Sequence, residues 1–260
     1  MNILITGNKG FIGQNAVERF SKKHKITVYD YDEKTFPSLA DIDVVMHFGA
    51  VSSTVERDVE KVLRQNFDFT VKLIRACAFW RVKLQYSSSA SVYGSSKEFK
   101  ESSPVDPRSP YAWSKFLIER HSTHFYRETV LQGFRYFNVY GPHEDHKGDQ
   151  ASPYHKFEQQ AINSGQIKVF ENSEKYRRDF IHVNRVLDVH EKFLDIDECG
   201  IWNVGTGKPT SFLSVAKHVA EKTNAKIVEV PMPDNIRQNY QEYTCADLTK
   251  LNATLGIKND

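Results

Sequence analysis

Two short stretches carry residue types that could do chemistry together. Tyr111-Ala-Trp-Ser-Lys115 sets a phenol and an amine one helical turn apart on one face. An ammonium beside a phenol stabilises the phenolate, so the spacing predicts a Tyr111 pKa drawn down toward neutral pH. Upstream, Val82-Lys-Leu-Gln-Tyr86 reads as a buried strand running into a hydroxyl-rich turn, Tyr86-Ser-Ser-Ser-Ala-Ser-Val-Tyr-Gly94. A Ser89 hydroxyl held near Tyr111 would hydrogen-bond a substrate alcohol or carbonyl. These parts suit oxidation of a secondary alcohol, with the tyrosine as base and a nicotinamide as hydride acceptor. The Tyr/Lys spacing is common on helices as a plain aromatic–lysine pair, so it carries weight only behind a dinucleotide site.

The N-terminus supplies one. An apolar strand over 1–6 runs into Gly7-Asn-Lys-Gly10-Phe-Ile-Gly13, and a helix is expected over 14–21. Glycines let the backbone approach a pyrophosphate, and the helix start offers free N–H groups and a positive dipole end. The spacing is Gly-x-x-Gly-x-x-Gly, which could also be a bare strand–helix turn. A second strand, 25–30, ends in Asp30, at the separation of about 20 residues expected of a ribose-binding carboxylate. The order of the three features makes the dinucleotide reading strong.

A chain of 260 residues can bury a large core without staples. The net charge of +2 gives no electrostatic case for nucleic acid or a membrane surface. No signal-peptide pattern and no apolar run near the ~20 residues of a membrane span is present, so a cytoplasmic location is expected. Cys77, Cys199 and Cys245 are scattered without metal-ligand spacing and read as free thiols in a reducing compartment; no metal is expected.

The chain resembles the extended short-chain dehydrogenase/reductase family of nucleotide-sugar epimerases and dehydratases. The resemblance rests on Thr6 to Gly13, His47-Phe-Gly-Ala-Val-Ser-Ser53, Ser87 to Gly94, and the Tyr111/Lys115 pair. A narrower likeness, to the branch that epimerises the heptose of bacterial lipopolysaccharide, rests on 133–142, His146-Lys-Gly148, 169–173 and Arg177-Arg-Asp-Phe180. The fold implied is α/β: a Rossmann-type, doubly wound parallel sheet over 1–151, with returns near 179–200. A smaller interleaved substrate-binding part covers 152–260.

The resemblance implies NAD or NADP bound per subunit. It assigns the cofactor to Gly7, Gly10, Phe11, Ile12, Gly13, Asp30, Tyr31, Phe48, Gly49, Ala50, Val51, Ser52, Asn66, Tyr111, Lys115 and Val139. A carboxylate at Asp30 repels a 2′-phosphate, which favours NAD. Ser89, Asn138, Phe170, Glu171, Asn172, Ser173, Arg178 and Tyr240 are assigned to a nucleotide-diphosphate sugar, the arginine to its diphosphate. Lys147 is assigned the second acid/base that inversion of a carbinol through a transient ketone requires, opposite Tyr111. Asp149 and Lys156 replace a Ser and a His of the heptose branch, so they line the substrate site with altered chemistry. Helical apolar patterns over 55–80 and 111–127 correspond to the family's dimerisation helices, so a homodimer or larger homo-oligomer is implied.

One interval departs from the family. Between Asp30 and the strand at 44–48, too few residues remain for a crossover helix and another strand. The sheet is therefore expected to lack its third strand, with the adenine side trimmed. Asp41 or Asp43 could replace the lost adenine contact or simply begin the next strand. The function expected is NAD(P)-dependent epimerisation of an ADP-heptose-like sugar. The alternatives are a 4-epimerase, dehydratase or reductase of the same superfamily, or a non-catalytic binder of nucleotide sugar or NAD(P).

Overall fold

The computed structural model describes residues 1–49, 51–234 and 241–257. Ala50 and Tyr240, both expected in the site, lie outside the described residues. The central sheet joins β1 (Asn2–Thr6), β2 (Lys25–Tyr29), β3 (Val44–His47), β4 (Lys83–Ser89), β5 (Leu131–Tyr136) and β9 (Gly200–Val204). Their order is β2-β1-β3-β4-β5-β9, and every pairing is parallel. Covered on both faces, such strands read as continuous apolar runs, as Ile3-Leu4-Ile5 and Val44-Val45-Met46 do.

Helices clothe the two faces. On one, α3 (Phe69–Trp80) and α4 (Pro110–Ser122) bury Leu73, Ile74 and Ile118 against Leu4, Val45, Leu84 and Leu131. On the other, α1 (Phe11–Phe20) and α6 (Val183–Lys192) set Phe20 and Leu187 against Ile3, Ile5 and Met46. Farther along that face Phe134, Phe193 and Trp202 pack together in the core. The chain then builds a smaller layer. There β6 (Asn138–Tyr140) pairs with β8 (Arg177–His182), which pairs with β10 (Pro209–Ser211), while β7 (Gln166–Phe170) pairs with β11 (Lys226–Val230). Against it pack α5 (Pro153–Ser164) and α7 (Phe212–Thr223), and α8 (Thr249–Thr254) closes the described chain.

Helix starts follow local chemistry. Ser109, Ser152 and Ser211 each accept a hydrogen bond from the amide three residues on, at 3.1, 3.2 and 3.0 Å. Proline opens α4 and α5, where its missing N–H costs nothing. The helix expected over 55–80 begins later, as α2 (Val59–Val62), because the Asp58 carboxylate caps it through the Lys61 amide at 2.9 Å. It then passes through a π-helical stretch, Leu63–Asp68, before α3.

Residues 31–43 contain neither strand nor helix, so the third strand is absent as expected, and β2 forms the sheet edge. Side chains take the strand's place: the rings of Tyr29, Tyr31 and Phe36 gather on Phe69, with centroids 5.8, 5.5 and 5.8 Å away. Leu39 closes the layer beneath, 4% exposed. Asp43 accepts from the Asn2 amide at 2.7 Å, and the Asp41 carbonyl accepts from the Asn2 side chain at 2.7 Å. Those two aspartates fasten the approach to β3 onto the first residue of β1.

Candidate active site

The end of β4 and the start of α4 bring Ser89, Tyr111 and Lys115 together. Ser89 caps a short 3-10 turn by accepting from the Ser91 amide at 3.1 Å, which fixes its hydroxyl, and that hydroxyl acts on the Tyr111 phenol to lower its pKa. Lys115, 2% exposed, donates to the Ser87 carbonyl at 2.9 Å, with its Nζ 5.7 Å from the centre of the Tyr111 ring. Burial brings the Lys115 pKa down to about 8, against a carboxylate one turn on, Glu119, that raises it.

The phenol behaves differently from the sequence expectation. Burial pushes the Tyr111 pKa above its ordinary value, and only the bond to Ser89 opposes this. The ammonium is directed at a carbonyl rather than at the phenol oxygen, so desolvation wins.

The glycine turn fits a dinucleotide. At Gly7, with φ +73°, a Cβ would sit 2.3 Å from the Gly49 Cα; at Gly13 it would sit 2.0 Å from the Gly7 carbonyl oxygen. The backbone is thus drawn as tight as it can be, and Gly10 leaves the N-terminus of α1 without a side-chain cap, its amides directed outward. Phe11 and Ile12 pack inward from the first turn of α1. A cavity of about 330 Å³ lies beside the turn, lined by Thr6, Gly7, Tyr29, Asp30, Tyr31, His47, Gly49, Gln65 and Phe69. It opens past Tyr31 and Phe69 into a groove of about 770 Å³ where the third strand is missing. The adenine side is open, not closed off.

Asn66 holds the far wall. Its carboxamide accepts from the Val51 amide at 2.8 Å and donates to the Val51 carbonyl at 3.0 Å and to the Ser114 hydroxyl at 3.0 Å. Ser114 in turn donates to the Tyr111 carbonyl at 2.7 Å. One fully buried side chain in the π-helical turn therefore ties the loop after β3 to the helix bearing Tyr111 and Lys115. Phe48 packs edge-on to His190 with centroids 4.9 Å apart, and Ser52 is exposed.

Lys147 comes from the short 3-10 turn Asp145–Gln150 yet is half-buried: its Nζ lies 4.9 Å above the Phe11 ring and 3.6 Å from a Glu144 carboxylate oxygen. The loop docks on α1 through Asn15, which donates to the Pro142 carbonyl at 2.9 Å. Burial lowers the Lys147 pKa, Glu144 raises it and Lys156 lowers it. Val139 packs among the core residues below, while Asn138 and Asp149 are exposed.

Phe170 ends β7 and Glu171, Asn172 and Ser173 turn directly after it, the Ser173 hydroxyl buried with no partner among the described residues. Arg178 donates to the carbonyls of Gln241 and Arg177 and lies over Phe212. Gln241 donates to the Gly94 carbonyl at 3.0 Å, so β8 is tied to the serine-rich turn.

Three features were not anticipated. Glu119 accepts from the Ser88 hydroxyl at 2.6 Å and from Arg135 through two nitrogens, at 2.8 and 2.6 Å. The continuation of the helical face, Tyr111, Lys115, Glu119, could have pointed to it. Glu144 is the second. A buried polar chain is the third: the Tyr136 hydroxyl meets His190 at 2.6 Å and Ser87 at 3.3 Å, and His47 contacts Thr6 at 2.6 Å and Thr70 at 2.8 Å. Burial brings both histidines down to about 3, the charge of Lys115 contributing at His47, so both are neutral. Pairings across such distances in sequence leave no local signal.

Fold and site together define a dinucleotide-dependent enzyme of the short-chain dehydrogenase/reductase type. Residues 3–205 match the model of the NAD dependent epimerase/dehydratase family, and the chain belongs to that family. It is 36% identical over 290 aligned residues to an ADP-L-glycero-D-manno-heptose-6-epimerase of Brachyspira hyodysenteriae, an alignment that covers 96% of this chain and 91% of that one. The enzyme of that name from Helicobacter pylori superposes with a TM-score of 0.86 at 24% identity, over 100% of this chain and 91% of that one. A UDP-N-acetylglucosamine 4-epimerase from Methanobrevibacter ruminantium superposes at 0.87 and 24% identity, over 100% and 93%. The two superpositions establish the shared fold.

Proposed function

We propose that the protein inverts a carbinol centre of a nucleotide-diphosphate sugar, an ADP-heptose-like substrate, by oxidation and re-reduction. The observations that support this reading are the gathering of Ser89, from the end of β4, with Tyr111 and Lys115 of α4, and the placing of half-buried Lys147 over Phe11 in the first turn of α1. When bound, NAD supplies the hydride acceptor and donor, with Asp30 favouring it over the 2′-phosphorylated form. Ser89 orients the reacting oxygen and Tyr111 takes its proton, while Lys115, one helical turn along α4, would hold the nicotinamide ribose. Lys147 handles the proton on the opposite face after the sugar turns over. The orphaned Ser173 hydroxyl and the Phe170–Ser173 turn serve the diphosphate sugar, with Arg178 behind them.

The Val59, Leu63, Trp113 and Leu117 side chains line an apolar groove between the helices, and Val59 and Trp113 are half exposed; this face suits a homodimer. Among the described residues no helix is long and apolar enough to cross a membrane, which accords with a cytoplasmic enzyme. The test is to incubate the purified protein with ADP-glycero-manno-heptose and follow the sugar C6 signal by NMR. Inversion at C6 is expected. Turnover of a UDP-sugar at C4 that survives Lys147→Met would move the assignment to a 4-epimerase, and bound cofactor without turnover of either would leave a binder.

A further inference from the structure

The loop that carries Lys147 is built around a single carboxylate. Glu144 is 1% exposed. One of its oxygens accepts from the Gly141 amide at 3.1 Å and from the Ser152 hydroxyl at 2.7 Å. The other accepts from the Ser152 amide at 2.6 Å and faces the Lys147 Nζ at 3.6 Å. These contacts bring the end of β6 and the cap of α5 onto one point, closing the 141–152 segment into a loop with Lys147 at its tip. A buried carboxylate is costly unless its lone pairs are all used. Here backbone and hydroxyl donors account for three contacts, and the fourth is Lys147.

We infer that Glu144 is the positioning residue for Lys147: it aims the amine at the dinucleotide turn over Phe11 and holds the charge with which that amine enters the reaction. The inference rests on the proposed role of Lys147 and goes beyond it by naming what controls that role. The charged groups facing the amine are Glu144 from its own loop and Lys156 from α5; Phe11 of α1 presents only a ring face. The two ionic neighbours act in opposite senses. Glu144 favours the ammonium, and Lys156 together with burial favours the free amine. An acid/base group must exchange a proton near working pH, and burial with Lys156 draws the Lys147 amine below the ordinary lysine value while Glu144 opposes them.

The test reads Lys147 directly and without substrate. Protein carrying 13Cε-lysine is titrated by NMR, and the Lys147 signal is assigned by its loss in Lys147→Arg. Glu144→Gln is expected to move the Lys147 midpoint to lower pH by about one unit, a tenfold change in acidity. Lys156→Met is expected to move it upward. In turnover assays the limb of the pH–kcat profile belonging to Lys147 follows both shifts, and Glu144→Asp restores much of the wild-type profile. A Glu144→Gln protein that loses activity while the Lys147 midpoint stays put has only a loosened loop, and the inference fails. If both midpoints shift as described but Lys147→Met turns over normally, Glu144 does pair with Lys147 but the amine is not the second base, which overturns the proposed reaction instead.

Discussion

Replacing Lys115 by Met should separate stability from function with a sign that depends on pH. The Lys115 ammonium is 2% exposed, and burial brings its pKa from 10.5 down to about 8. The folded value lies below the unfolded one, so between pH 8 and 10.5 the unfolded chain holds more proton and wild-type stability rises with pH. Below about pH 8 the full penalty applies. A fall of roughly 2.5 pH units, at about 1.36 kcal/mol each, makes it on the order of 3 kcal/mol. Methionine removes that penalty but leaves the Ser87 carbonyl without its donor, which costs about 1–3 kcal/mol at every pH. Lys115→Met is therefore expected to be as stable as wild type or slightly more so at pH 7.5, and less stable by roughly 2 kcal/mol relative to that difference at pH 9.5. Urea denaturation of both proteins at three pH values measures this, because titrating groups away from Lys115 contribute equally to both proteins. A stability difference that is flat across the range would show that Lys115 carries no desolvation cost and refute the reasoning. Activity should fall by about 100-fold or more in the same protein.

Other substitutions test the remaining contacts. Tyr111→Phe should lower kcat by roughly 10²–10⁴-fold with thermal stability unchanged, and wild-type-like turnover would remove the tyrosine from the mechanism. Asn66→Leu strands the Val51 amide and the Ser114 hydroxyl, so NAD affinity by calorimetry should weaken about tenfold while the far-UV spectrum is preserved. Glu119→Gln leaves Arg135, 4% exposed, without its counter-ion; a loss of about 3–5 kcal/mol is expected, seen as a fall in Tm on the order of 10 °C. The same change removes the carboxylate that raises Lys115, so the Lys115 pKa should fall further.

Local order and spacing settled a good deal. The strand–glycine–helix start, the Tyr111/Lys115 turn of helix and Asp30 at the end of a strand could all be read along the chain, because each depends on neighbours within a turn or a strand length. So could the missing third strand: residues 31–43 are too few to hold it, and chain length is not negotiable. What fills that gap could not be read, since the rings of Tyr29, Tyr31 and Phe36 meet Phe69 from a distant helix. The π-helical turn was also hidden, because its Asn66 side chain is held by partners on two other elements. Burial decided the charges. The same Tyr-x-x-x-Lys spacing that forecasts a lowered phenol pKa yields a raised one when the ammonium turns to Ser87 and water is excluded. Glu144 was a letter in a charged loop until folding closed Gly141 and Ser152 over it. Sequence supplied the groups that can move protons, and tertiary structure alone set their partners and desolvation, because both depend on which distant segments come to rest beside them.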